Sequence, residues 1–442
     1  MYKELKKICV YKNTSIKEVL KQIQRSGKNG AFVIEKDFKL IGIITDSDIR
    51  KSILTGKFKK IKFAKDVMTR NFYYVKHNEI HKSHEKLIRS SKILLPILKK
   101  KKLISYVHIS NLISKKNKRV LIIGGFGFIG SVLSKKLLEH GYQVNILDKN
   151  LYGNPFTKHN YGKKLNIILG DCNSKSDLTK SLSGCTDVIH LGELVGDPAV
   201  ALNTKFSVEN NYEATNLLMN ECLKNGIERF IFTSSCSVYG FSKKICNENS
   251  SLNPVSLYAK CKVACEETIL SHTSNIFTPT ILRLATAYGP SLRNRFDLVV
   301  NKFVAYALKL KEIKIFGEKN WRPLVHVDDI ADGIILVLKS PESKVRNQIF
   351  NLGANTENYK IGYIAEIIKK FYNFKKIIIP QTEDPRSYKV SFNKIKKKLN
   401  FKTKKRLKPS IKSMISYFKG RKINLKNPNY FNDQKLKILF KK

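Results

Sequence analysis

Acidic residues are scarce in this chain. Asp and Glu number 35 against 83 Lys and Arg, a formal charge of +48. Such a balance suits a nucleic-acid or membrane-surface binder. However, the lysines are spread over the whole chain and no nucleic-acid motif accompanies them. They read as solvated faces, so no nucleic-acid partner is expected. The positive field would still favour an anionic substrate. No apolar run approaches the length of a membrane span. The N-terminus, Met-Tyr-Lys-Glu-Leu-Lys-Lys, has no long apolar segment of the secretory kind. A cytoplasmic protein is expected. The eight cysteines form no C-x-x-C pair, and no histidine pair completes a zinc pattern around Cys261 and Cys265. Reduced thiols and no metal are expected. His77, His81 and His84 have a helix-like spacing and read as solvated surface.

What is present is organised around Arg119-Val-Leu-Ile-Ile-Gly-Gly-Phe-Gly-Phe-Ile-Gly-Ser-Val-Leu133. Val120 to Ile123 reads as a buried parallel strand. Gly124, Gly127 and Gly130 follow at a three-residue spacing, and Ser131 to His140 reads as a helix. Strand, glycine turn and helix form a dinucleotide-binding unit, with the diphosphate on unpaired helix N–H groups. The strand Gly141 to Asp148 ends in a carboxylate that would accept hydrogen bonds from the adenosine ribose and repel a 2′-phosphate. That points to NAD. Leu165 to Asp171 reads as the next strand, placing Asp171 and Cys172 near the adenine. Asp187 to Gly192 is the fourth, placing Leu191 at the cofactor edge. The alternation of strands and helices predicts an α/β fold with a doubly wound parallel sheet.

Chemistry is expected further on. Arg229 to Phe232 is the fifth strand, followed by Thr233-Ser-Ser-Cys-Ser-Val-Tyr-Gly240 and then Tyr258-Ala-Lys-Cys-Lys262. A Tyr and a Lys four apart share one helix face. The lysine charge is expected to lower the tyrosine pKa. The tyrosinate can then take a proton from a sugar hydroxyl, with a serine of the strand end holding that hydroxyl.

These motifs, with Leu282-Arg-Leu-Ala-Thr-Ala-Tyr-Gly-Pro290 and Arg322-Pro-Leu-Val-His-Val-Asp328, resemble the extended short-chain dehydrogenases. The resemblance is to the NAD-dependent nucleotide-sugar epimerase/dehydratase group. It implies a Rossmann-type core over about 118–285 and a small substrate-binding part over about 286–418. It assigns catalysis to Ser235, Tyr258 and Lys262. It assigns the cofactor to the three glycines, Phe128, Ile129, Asp148, Asp171, Cys172, Leu191, Asn211, Tyr258 and Lys262. It assigns the nucleotide sugar to Thr286, Asp297, Leu298, Arg322, Asp384 and Arg386. Asp297 replaces a usual Asn beside the substrate diphosphate, and Arg293 and Arg295 precede it. In the dehydratase branch an Asp-Glu pair follows the strand-end Thr, where this chain has Ser235-Cys236. That favours epimerisation at C4 through a keto-sugar, with NAD recycled. Keto-reduction, dehydration and decarboxylation on the same scaffold are the alternatives, and a non-catalytic nucleotide sensor is a further one. Residues 419–442 read as a basic tail.

Before the glycines, residues 1–115 hold a weak repeat. Thr14-Ser-Ile opens a helix, Ala31 to Ile34 and Leu40 to Ile44 are strands, and Thr45-Asp-Ser-Asp48 starts a second helix. In the second copy, Ile80 to Ser90 reads as a helix, Leu94 to Leu98 and Leu103 to Val107 as strands, and Ile109 to Ile113 follows. Gly42-Ile-Ile-Thr45-Asp-Ser-Asp48 resembles the signature of CBS domains, βαββα modules that sense adenine nucleotides. The resemblance assigns Thr45 to phosphate and Asp48 to ribose hydroxyls. The second copy departs from the signature, with Ser105, His108 and Asn111 at its positions. A homodimer, and an enzyme responsive to adenine nucleotide, are expected.

Overall fold

The computed structural model describes residues 5–77, 79, 94–108, 118–157, 161–273, 277–380, 386–421 and 423–441. The chain divides into two units, Met1–Asn117 and Lys118–Lys442.

In the first unit, β1 (Cys9–Tyr11), β2 (Gly30–Ile34) and β3 (Leu40–Thr45) form a sheet in that order. β1 runs parallel and β3 antiparallel to β2. The intervening helix, Ile16–Ser26, is capped by the Ser15 hydroxyl, which accepts from the Glu18 amide, and ends on Gly27 at φ 61°. A second sheet joins β4 (Val75–Lys76), β5 (Leu94–Lys99) and β6 (Lys102–His108). The helix expected over 80–90, the segment 109–113, His81 and His84 lie outside the described residues. Thr45 and Asp48 stand where β3 meets the helix Asp46–Leu54. There they bond to each other. One Asp48 oxygen accepts from the Thr45 amide at 2.8 Å and the Thr45 hydroxyl at 2.7 Å, and the other accepts from the Thr69 hydroxyl at 3.1 Å. The expected ligand groups therefore act as a helix cap here.

The second unit is built on seven parallel strands. β7 (Arg119–Ile123), β8 (Gln143–Asp148), β9 (Leu165–Leu169), β10 (Asp187–His190) and β11 (Arg229–Ser235) alternate with helices. The remaining strands are β12 (Phe241–Cys246), β13 (Thr278–Leu284), β14 (Thr286–Tyr288), β15 (Glu312–Phe316), β16 (Trp321–His326), β17 (Gln348–Leu352), β18 (Asn358–Lys360), β19 (Lys375–Ile379) and β20 (Ser387–Val390). The order across the large sheet is β17-β13-β11-β10-β7-β8-β9. Alternate residues feed opposite cores, as strand geometry requires. Val120, Ile122, Val144 and Ile146 pack on one face, and Leu121, Ile123, Leu147 and Val188 on the other. Strand order reverses beside β7, whose neighbours are β10 and β8. In such sheets a crevice opens at the carboxyl ends of the strands at that point.

A third core lies outside the large sheet. Helices Val299–Leu310, Ile361–Lys369 and Leu407–Lys419 bury Val300, Val304, Ile364, Ile368, Ile411 and Met414 together. Smaller sheets, β14-β16-β18, β15-β19 and β12-β20, join this region to the rest. The segment read as a separate basic tail is also folded here. Tyr430 and Phe431 pack against Phe296, and the helix Asn432–Phe440 buries Leu436 against Leu194, Ala199 and Val200. Its charge pattern carries no sign of this, because apolar side chains scattered among the lysines do the anchoring.

Candidate active site

The carboxyl ends of β7, β10 and β11 converge on one cleft. Its floor is the turn after β7. Gly124 has φ 78°, and a Cβ on it would lie 2.6 Å from the Gly192 Cα. A Cβ on Gly130 would lie 2.2 Å from the Gly124 carbonyl oxygen. These contacts let the helix Phe128–Glu139 begin directly against the strand end, with no side chain capping its first amides. Gly124, Gly127, Phe128, Ile129, Gly130 and Leu191 line it. The turn therefore fits a diphosphate, which needs close backbone approach and unpaired N–H groups.

An adjoining cavity lies between Gly124, Asp148, Cys172, Leu191 and Asn210. Asp148 Oδ2 accepts from the Phe126 amide at 2.9 Å and Oδ1 from the Asn150 amide at 2.8 Å, so the carboxylate is fixed at the rim. Burial raises its pKa. Two expected cofactor residues stand elsewhere. Asp171 pairs with Lys149 at 2.9 Å and does not line this cavity. Asn211 turns its amide to the Leu194 backbone, donating to O at 2.9 Å and accepting from N at 2.8 Å. It fixes the loop after β10 instead of facing the cleft, and Asn210 takes the lining position. Both asparagines lie in a π-helical turn, Glu209–Glu213.

Ser235, Tyr258 and Lys262 all line the main cleft. Ser235 ends β11, and its hydroxyl accepts from the Ser237 amide at 3.1 Å while also bonding Tyr258. Tyr258 and Lys262 share the inner face of the helix Leu257–Ser271, capped by Ser256. The strand end is fixed from behind by a buried network. Glu266 accepts from the Ser234 hydroxyl and from the Nε and Nη2 edge of the Arg283 guanidinium, whose Nη1 donates to the Tyr239 hydroxyl at 3.0 Å.

The electrostatics depart from expectation. Burial raises the Tyr258 pKa, reinforced by the Asp197 charge and opposed by Arg295 and the Ser235 hydrogen bond. The Lys262 ammonium, 5.6 Å from the Tyr258 ring centre, is held by the Glu193 carboxylate and the Thr233 carbonyl. Burial pulls Lys262 down to about 7, and the Cys265 and Glu266 charges oppose that shift. Glu193 was not a candidate from sequence. Its side chain is 2% exposed, it faces both the cleft and the adjoining cavity, and Oε1 has no hydrogen-bond partner. An acid three residues after a buried strand is an ordinary turn residue by pattern. Only the helix packed opposite reveals its partner.

Thr286, Asp297, Leu298, Arg322 and Arg386 line the far side of the cleft. Asp297 is bound edge-on by Arg295, with both contacts at 2.9 Å. Burial pushes its carboxyl up, but the Arg295 charge and hydrogen bonds prevail and hold it below the ordinary range. Its charge is thus matched locally, as the preceding arginines suggested. Arg386 pairs with Asp197, and Arg322 donates to the Trp321 and Arg386 carbonyls. Asp384 lies outside the described residues. Among the described residues, no cluster of side chains could hold a metal ion, and no helix is long and apolar enough to cross a membrane.

A glycine turn that fits a diphosphate, beside a Ser–Tyr–Lys set on a parallel sheet, defines a dinucleotide-dependent enzyme of the short-chain dehydrogenase type. The model of the NAD dependent epimerase/dehydratase family matches residues 120–353, and this chain belongs to that family. The CBS domain model matches residues 3–55. A putative UDP-glucose 4-epimerase of Methanocaldococcus jannaschii is 30% identical over 316 residues, 68% of this chain and 98% of that protein. The UDP-N-acetyl-alpha-D-glucosaminuronate decarboxylase of Bacillus cytotoxicus is 25% identical over 319 residues, 68% and 98% of the two chains. Among solved structures, the UDP-N-acetylglucosamine 4-epimerase from Methanobrevibacter ruminantium M1, in complex with UDP-N-acetylmuramic acid, superposes with a TM-score of 0.62. It is 26% identical and covers 69% of this chain and 99% of that one.

Proposed function

We propose that the second unit epimerises a nucleoside-diphosphate sugar at C4 through a transient keto-sugar. The observation that carries this reading is the convergence of Ser235, Tyr258 and Lys262 on a cleft whose far side holds Thr286, Arg322 and Arg386. The nicotinamide of a bound NAD supplies a reversible hydride acceptor. Gly124, Gly127 and Gly130 admit its diphosphate, and Asp148 accepts from its ribose hydroxyls. Tyr258 takes the proton from the sugar hydroxyl and returns it, while Ser235 orients that hydroxyl. The Lys262 charge favours the tyrosinate once ligand binding loosens its hold on Glu193. Arg322 and Arg386 clamp the substrate phosphates.

Dehydration needs an acid at the Ser235-Cys236 position. Cys236 does not serve. Its sulfur contacts the Arg283 carbonyl at 3.4 Å, it does not line the cleft, and burial raises its pKa well above the ordinary thiol value. Incubation with a panel of nucleotide sugars, with products read by NMR, tests the reading. Inversion at C4 is expected. Loss of water, release of carbon dioxide or net reduction would each assign a different reaction on this scaffold.

For the first unit, we infer binding of an adenine nucleotide that tunes this activity, supported by the match over residues 3–55 and by Thr45 and Asp48 at a helix N-terminus. Binding requires these residues to exchange their mutual hydrogen bonds for the ligand's. Titration of ATP, ADP and AMP against binding and turnover checks it. Absence of both effects overturns it.

A further inference from the structure

The segment 427–440 follows the third core and returns to the cleft. Asn432 is 2% exposed and its amide joins two walls of that cleft. Nδ2 donates to the Val195 carbonyl at 2.8 Å, on the loop after β10, and Oδ1 accepts from the Arg293 guanidinium at 2.7 Å. Its backbone amide reaches Asp297 at 3.4 Å. The helix that Asn432 begins is anchored behind the site, with Leu436 against Leu194 and Val200 and Phe440 edge-on to Phe206 at 5.2 Å.

Arg293 is a buried cation, 6% exposed. Its guanidinium stacks on Tyr152 at 3.9 Å from the ring centre, and its Nε has no hydrogen-bond partner. It lines the cleft beside the glycine turn, and the Ser291 hydroxyl, two residues earlier, donates to the Phe128 carbonyl at 2.7 Å. A buried guanidinium held by a neutral amide and an aromatic face keeps donors in reserve, which is the chemistry that takes phosphate oxygens. Asp148 and Asp297 act on it only through space, and Arg295 repels it.

We propose that residues 427–440 complete the phosphate-binding part of the cleft, with Asn432 as the positioning residue that aims Arg293 at a pyrophosphate. This rests on the reading that the cleft takes NAD and a nucleotide sugar, and the pyrophosphate of either has the required chemistry. Calorimetric binding of NAD and of UDP-glucose to the full chain distinguishes the two sources. Loss of a hydrogen bond to a charged group weakens one of these probes about tenfold in Asn432→Ala. Arg293→Gln weakens the same probe at least as much, and the double variant is no weaker than Arg293→Gln alone, because Asn432 acts through Arg293. A purely structural role of Asn432 would add to the Arg293 effect in the double variant. Unchanged binding of both probes in Asn432→Ala, or additive losses, overturns the proposal.

Hydrogen exchange on the unaltered protein gives a second reading that needs no variant. The probe that binds protects amides of 427–440, and unchanged exchange there contradicts the inference. A chain that binds NAD but no nucleotide sugar overturns the proposed reaction while the NAD arm still decides this inference. A chain that binds neither probe overturns both.

Discussion

Tyr258 and Lys262 sit on one helix face, with the ammonium 5.6 Å from the ring centre. The lysine is engaged by Glu193 and Thr233, and burial raises the tyrosine pKa. Tyr258→Phe removes the proton-transfer group but little of the cleft. It should lower turnover about 100- to 10,000-fold while NAD stays bound, as read by product formation and by cofactor content of the purified protein. Glu193→Gln removes the carboxylate that favours protonated Lys262. The lysine pKa then falls further, and the alkaline limb of kcat/KM should move to lower pH. A limb that stays in place would mean that Glu193 does not set the charge of Lys262.

At the scale of elements, the strand–turn–helix around Gly124 carries the proposed cofactor site, and its fold is the most legible part of the sequence. Its signal is local. An apolar run, three spaced glycines and an amphipathic helix each follow from short-range geometry. Gly130→Ala should destabilise the second unit by about 1–3 kcal/mol and abolish NAD binding, because the new methyl meets a backbone oxygen 2.2 Å away. Urea unfolding and cofactor content check it. The return of the helix Asn432–Phe440 was not legible. Asn432 and Val195 lie 237 residues apart, and the contact depends on how the third core turns the chain. Asn211, expected on the cofactor side, bonds the backbone of Leu194, which lines the adjoining cavity. The Thr45–Asp48 pair was read correctly as a helix start, but its hydrogen bonds close on themselves.

For the whole molecule, stability should depend on pH through a buried group at the sheet centre. His190 ends β10, its Nε2 lies 2.9 Å from the Thr215 hydroxyl, and burial holds its pKa to about 3 against an ordinary 6.5. The unfolded chain binds that proton below about 6.5, whereas the folded chain refuses it until about 3. Stability of the second unit therefore falls as the pH drops through this window, by up to about 1.4 kcal/mol per pH unit from this group. Urea unfolding at successive pH values measures it, and a flat profile in that window would contradict neutral burial. The proposed reaction holds and recycles its cofactor. Its most direct test is NMR of a nucleotide sugar incubated with the purified chain without added NAD, with reduced cofactor followed by absorbance. Accumulation of the C4 epimer without net NADH is the predicted result. Steady NADH formation, or a product unchanged at C4, would contradict the account.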